Sequence, residues 1–179
     1  MMLETLLTRR SIRKFTAEPV AEAELQQILQ AGLLSPSGRN RTPWEFVVVQ
    51  DKDTLAALGK CRHPQQGFLP DTPLAIVVLG DTNATDVWIE DCSIAMALMH
   101  VEAHKLGLGS CWVQIRNRMA QGETQTGNDY VKALLGVPEQ YEVLAILGIG
   151  HPDEEKAPYT LDALHYEKVH YEKVHHEKF

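Results

Sequence analysis

Residues 86–106 carry apolar side chains almost all the way round a helix, among them Val87, Trp88, Ile89, Cys92, Ile94, Met96, Leu98 and Met99. An ordinary surface helix shows one apolar stripe, whereas a helix apolar on every side has to be buried on most of them. A chain of 179 residues is one domain by length, with room for a sizeable core. Burying such a helix completely within so small a domain is hard. Part of its surface is therefore expected to meet a second subunit. Gly107 and Gly109 are expected to end the helix.

The remaining elements follow from local pattern. Residues 1–8 read as a short helix, with Leu3, Leu6 and Leu7 on one side. Leu25, Ile28, Leu29 and Leu33 recur at helical spacing and predict a helix over 22–34, which Pro36 stops. Apolar, β-branched runs predict strands at 45–50, 74–79, 110–115 and 142–149. The unbroken run at 74–79 predicts a sheet covered on both faces. Asp53 is positioned to cap a helix over 54–61, and Gly136 to close one over 128–135. Residues 62–72 and 116–127 lack a period and read as loops. Helices alternating with strands give a layered α/β sandwich. After Pro152 the character changes, so the division is 1–152 as the folded domain and 153–179 as a C-terminal arm. The arm ends in a five-residue repeat built on Tyr-Glu-Lys-Val-His, a period that suits neither a helix face nor a strand face. It reads either as an arm on the surface, of this subunit or its partner, or as a frayed tail.

Two polar stretches stand out against this frame. Arg9-Arg10-Ser11-Ile12-Arg13-Lys14 concentrates cations in a chain whose net charge is −7. Guanidinium forks pair bidentately with phosphate, and a hydroxyl adds a donor. One short basic cluster on an acidic chain argues against nucleic acid as the partner and for a local anion site. The second stretch, Ser35-Pro36-Ser37-Gly38-Arg39-Asn40-Arg41-Thr42-Pro43-Trp44, is a donor-rich loop whose prolines forbid a helix through it. It leads directly into a strand, which suits either a small-molecule site or an arginine-rich surface turn.

These stretches, with Gly107-Leu108-Gly109-Ser110-Cys111-Trp112 later in the chain, resemble the nitroreductase family of FMN-dependent oxidoreductases in order and spacing. The resemblance implies an α+β fold, a three-layer α/β/α sandwich with a mainly antiparallel central sheet flanked by helices, in an intertwined homodimer. It implies FMN in the dimer interface, with the C-terminal segment reaching across to the partner. Arg9 and Ser11, with Arg10 nearby, would contact the phosphate and ribityl chain, and Arg13 the N1/O2 edge of the ring, where a fixed positive charge favours the reduced anion. Pro36, Ser37, Gly38 and Asn40 would come from the other subunit. Backbone around Cys111 to Gln114 would approach the N5 side. The family's basic residue after the last strand has Lys156 as its one nearby counterpart, beyond Gly150, His151 and a run of acids. Thr42 stands where many members carry glutamine, which bears on ring contacts and substrate preference.

Other constellations fall away. Gly148-Ile149-Gly150 lacks the third glycine and the helix of a dinucleotide fingerprint, and no phosphate-binding P-loop or Gly-x-Ser-x-Gly elbow occurs. His100 and His104 share a helix face, but no third ligand is spaced to complete a zinc site, so no metal is expected. Three scattered cysteines give no disulfide framework; Cys92 and Cys111 read as small core residues. No apolar run is long enough to cross a bilayer and no secretory signal is visible, so a cytoplasmic protein is expected. The leading reading is an oxidoreductase passing hydride from NADH or NADPH through the flavin N5 to a small acceptor such as a nitroaromatic or quinone. A pocket used in turn by both reactants gives ping-pong kinetics, and flavin chemistry requires no catalytic side chain. The alternatives are a flavoprotein that dehalogenates or fragments its substrate, a non-catalytic FMN carrier, and a dimeric interaction protein.

Overall fold

The computed structural model describes residues 2–64 and 67–172. The last part of the repeat, residues 173–179, lies outside the described residues. In chain order the elements are α1 (Met2–Thr8), α2 (Glu22–Leu33), β1 (Trp44–Val49), α3 (Lys52–Leu58), β2 (Leu74–Asp81), α4 (Trp88–Lys105), β3 (Gly109–Gln114), α5 (Gly127–Leu135) and β4 (Tyr141–Gly150). Among the described residues no helix is long and apolar enough to cross a membrane.

The four strands form one sheet in the order β1-β2-β4-β3, and every pairing is antiparallel. The architecture is α+β, a sheet between two helical layers. Strand alternation builds the two cores. Leu74, Ile76, Val78, Leu147 and Ile149 face α2 and α4, meeting Ile28, Met96 and Met99. Ala75, Val77, Leu79, Val143 and Ile146 face the other way, onto Leu55 and Leu58 of α3 and Val131 of α5. The register slips between Val78 and Leu79, so Leu144 and Ala145 both fall in the α2/α4 core. β2 is buried on both faces, as its unbroken apolar run requires.

Local chemistry moves some boundaries. The α3 cap is Asp51, not Asp53: its carboxylate accepts from the Thr54 N–H at 2.8 Å and the Thr54 hydroxyl at 2.6 Å. The helix therefore starts at Lys52, and Asp53 sits in its first turn, where the helix dipole favours an acid. Thr126 caps α5 at the Asp129 N–H, 3.0 Å away, so the 116–127 loop ends in a defined turn closed by a Met119–Thr126 bridge. Gly107 ends α4 with φ +81°. Gly109 does not end the helix; it opens β3, and a Cβ there would lie 2.8 Å from Ile12. Its bare backbone lets the 9–14 segment lie against the strand.

The outer surface of α4 is apolar, with Ile94 43% exposed, and it continues into Met2, Leu3 and Leu6 of α1 and into Leu34, 82% exposed. A cleft of about 430 Å³ runs between these helices, lined by Met2, Leu34, Leu98 and Val101.

The tightest helix–sheet approach is at Gly80, where a Cβ would stand 2.2 Å from the Trp88 ring. Gly80→Ala is expected to destabilise the fold by about 1–3 kcal/mol through overpacking, read as a lower urea midpoint with unchanged slope.

Candidate functional site

Backbone pairing places the basic stretch. The Ile12 N–H donates to the Ser110 carbonyl at 3.0 Å, Thr16 N–H to His151 O at 2.9 Å, and Asp153 N–H to Lys14 O at 2.8 Å. Residues 11–16 are thus tied to the first turn of β3 and to the chain leaving β4. This sets Arg9 beside His100 in the C-terminal half of α4 and Ser11 and Arg13 beside Cys111 of β3. Lys156 arrives from the arm: its Nζ donates to the Ser11 carbonyl at 2.6 Å and pairs with Glu154 at 3.4 Å. Glu154 in turn accepts from the N–H groups of Arg13 at 2.5 Å and Lys14 at 3.3 Å. These contacts, the Arg13 N–H above all, hold its carboxyl below the usual range. The Ser11 hydroxyl touches the Cys111 thiol, and Arg13 and Lys156 lie close enough to act on it. Burial still pushes that thiol up.

Arg9 and Arg10 do different work. Arg10 stacks on Tyr159, 4.4 Å from the ring centroid, and donates to the Ala157 carbonyl, so it fixes the arm. Arg9 is half-buried, and its Nη1 lies 3.4 Å from His100 Nε2. Among the described residues no carboxylate pairs with the side chains of Arg9, Arg10 or Arg13. A half-buried guanidinium facing only a neutral ring is an incomplete arrangement, and a phosphate would complete it. The donor set present therefore fits a phosphorylated cofactor.

In sequence His100 shares a helix face with His104, a pairing set aside as a zinc site, and nothing there names its partners. Its Nδ1 contacts the Ser110 hydroxyl, while His104 Nε2 contacts the Thr8 hydroxyl at 2.8 Å, so the two rings serve separate partners. Burial first, then Arg9 and His104, pushes the His100 imidazole down to about 4. Burial and Arg9 lower His104 as well.

The second stretch lies elsewhere. The Gly38 N–H donates to Asp91 Oδ1 at 2.9 Å, and the Thr42 N–H to the Ser37 hydroxyl at 2.9 Å. Arg39, Asn40 and Thr42 take positive φ values of 52°, 56° and 44°. Asp91, 4% exposed, is the functional candidate that pattern reading missed; an acid directly before Cys92 in the apolar run of the helix was its signal. Its Oδ2 is buried with no partner among the described residues. Asp91 and His100 are about 13 Å apart along α4 at 1.5 Å per residue. One protomer therefore does not bring Pro36, Ser37, Gly38 and Asn40 to Arg9, Ser11 and Arg13. Gln114 lies on the β3 edge with both side-chain ends engaged: it accepts from Trp112 Nε1 and donates to Arg116 O, each at 2.9 Å. Gly150 pairs with Gly109 and is a packing position, since a Cβ there would lie 2.7 Å from Pro73 and 3.0 Å from Phe15.

His100 carries a pH signature. Groups facing it are Arg9, from the stretch after α1, His104 on α4, and the Ser110 hydroxyl on β3. Above pH 6.5 the ring is neutral folded or unfolded, and it costs nothing. Between pH 6.5 and about 4 the unfolded chain takes up a proton that the folded chain refuses, so stability falls with falling pH. The loss from this group reaches up to about 3 kcal/mol. His100→Gln is expected to remove that share, so urea titrations of the two proteins diverge across this window while carboxylate titrations cancel.

Comparison with known proteins places these features. The profile of the Nitroreductase family matches residues 6–65 and 58–151. The fold is similar to that of an FMN-dependent nitroreductase from Clostridium difficile, with TM-score 0.92 and 45% identity, covering 96% of this chain and 99% of that one. A protein of Archaeoglobus fulgidus with the provisional name NADH dehydrogenase/NAD(P)H nitroreductase is 33% identical over 164 residues, 89% of this chain and 90% of its own. The NADPH:FMN oxidoreductase of Vibrio harveyi, solved with NAD+, superposes with TM-score 0.82 at 25% identity, over 99% of this chain and 79% of that one.

Proposed function

The chain belongs to the nitroreductase family, and we propose on that premise that it is an FMN-dependent oxidoreductase drawing on NADH or NADPH. The observation that carries this reading is the half-buried pair Arg9 and Arg10 with the exposed Arg13 close behind, whose side chains no carboxylate among the described residues neutralises and whose donors match a phosphate. FMN, when bound, supplies two-electron exchange between the nicotinamide and a small acceptor such as a nitroaromatic or a quinone. The protein's task is to bind, orient and leave one ring face open.

In this reading Arg9 and the Ser11 hydroxyl hold the phosphate end. Lys156, ordered by Glu154 and the Ser11 carbonyl, adds positive charge beside them. Arg13 would sit by the N1/O2 edge of the ring, where its charge would favour the reduced anion. Backbone of β3 near Cys111 to Gln114 borders the ring's central edge. Pro36, Ser37, Gly38 and Asn40 are supplied by the second copy in a homodimer. Their distance from Arg9 along α4 supports a site shared between chains, and the apolar surface of α1 and α4 supports a partner there. Residues 153–159 are tied to residues 7–14, for example by the Tyr159 N–H to Leu7 O at 2.8 Å. Beyond them Leu161, Leu164, Tyr166, Val169 and Tyr171 are exposed. We place these side chains against the partner, as an arm appended to the 1–152 domain. Nicotinamide and acceptor use the same open ring face in turn, which gives ping-pong kinetics. A cytoplasmic location accords with three free cysteines.

Purified protein is expected to be yellow, to gain thermal stability on adding FMN, and to bleach when titrated anaerobically with NADH or NADPH. Colourless protein whose melting temperature ignores FMN overturns the reading. Arg9→Ala is expected to weaken FMN binding by about 10–100-fold, the loss of one or two charge-assisted hydrogen bonds, measured by quenching of flavin fluorescence.

A further inference from the structure

The Arg9 guanidinium has only donors, so its contact with His100 at 3.4 Å makes Nε2 the acceptor. The proton of the neutral ring is then on Nδ1, which donates to the Ser110 hydroxyl. Ser110 is 2% exposed in a paired strand and does not move freely. Its carbonyl also accepts the Ile12 N–H at 3.0 Å. One residue of β3 thus fixes the basic segment at two points: the backbone at Ile12 directly, and the head of Arg9 through an imidazole.

We propose that His100 is a positioning residue that aims the Arg9 guanidinium at the phosphate of FMN through a neutral ring, leaving the charge of Arg9 to the ligand. The proposal rests on the reading of Arg9 as a phosphate contact. A carboxylate at position 100 would hold Arg9 more tightly but would cancel its charge. An aliphatic residue would leave its direction unset. The histidine orients without neutralising, and its depressed proton affinity keeps it neutral throughout the physiological range. One donor is engaged, and the rest of the fork stays available for phosphate oxygens.

The test compares FMN with riboflavin, which lacks the phosphate, as ligands of purified apoprotein. Wild type is expected to prefer FMN, and Arg9→Ala to abolish most of that preference. His100→Leu keeps the bulk of the ring but loses the acceptor; it is expected to raise the FMN Kd about tenfold while leaving the riboflavin Kd unchanged. His100→Gln, whose side-chain oxygen can accept from Arg9, is expected to stay within about threefold of wild type. Ser110→Ala, which frees the ring, is expected to move FMN binding in the same direction as His100→Leu by a smaller factor. It keeps the test open if His100→Leu does not fold. On the Arg9→Ala background, His100→Leu is expected to have no further effect. A phosphate preference that Arg9→Ala removes and both His100→Leu and Ser110→Ala leave intact overturns the positioning role alone. Equal binding of FMN and riboflavin by wild type overturns the phosphate-site reading with it.

Discussion

Arginine charge held against the sheet edge, with no carboxylate paired to the side chains of Arg9, Arg10 or Arg13 among the described residues, is the constraint on which the rest of the structure turns. The chain is acidic overall, yet it holds Arg9 against His100 and brings Arg13 and Lys156 within reach of Cys111 on β3. It does so by backbone pairing, with residues 11–16 joined to β3 and to the exit of β4. Side-chain attraction between acid and base enters through the Lys156–Glu154 pair at 3.4 Å. Toward Arg13 and Lys14, Glu154 bonds the backbone N–H groups rather than the side chains. The cost of holding the arginine charge stands until an anion arrives.

The 37–42 loop shows the same logic in backbone form. Three non-glycine residues with positive φ store roughly 1–3 kcal/mol each when nothing compensates them. Here the Ser37 hydroxyl and the Asp91 carboxylate hold the loop by its N–H groups. Asp91 is committed by burial and by one hydrogen bond, with its second oxygen unmatched. The loop is rigid in a conformation the free peptide would avoid, which suits a surface that has to meet a ligand or a partner without rearranging.

What could be read in advance divides by the range of the interactions concerned. β2 and α4 were visible because their apolar patterns report burial residue by residue. The antiparallel order of the sheet was not in those patterns: alternating helices and strands suggested a generic α/β sandwich, and only the family resemblance carried the direction of pairing. Asp51 was missed in favour of Asp53 because two acids two residues apart are equivalent in composition, and only the Thr54 contact separates them. Lys156 and Ser11 are joined across 145 positions, which no local window spans. His100 was weighed with His104 as a metal pair and set aside, which left its partners unnamed; they are Arg9 and Ser110, from other elements. Gly109 was read as a helix stop because Gly107 next door is one. Its actual use, a bare edge against which Ile12 packs, depends on a segment almost a hundred residues earlier.

Three features of the isolated protomer are unfavourable on their own terms: half-buried arginines at 9 and 10 with no carboxylate partner among the described residues, apolar side chains exposed on α1 and α4, and a loop with left-handed residues. Each is ordinarily removed by selection for stability unless it does something else. On the proposed reading the three are relieved together. A phosphate satisfies the cations, a second copy covers the apolar helices, and the same second copy brings the strained loop to the cofactor. Affinity for cofactor and affinity for partner are then one coupled quantity, because neither half of the site is complete in a single chain. This also explains why Arg9 is held by a neutral imidazole. An acid placed there would stabilise the lone protomer, and it would weaken the assembly that gives the protein its chemistry.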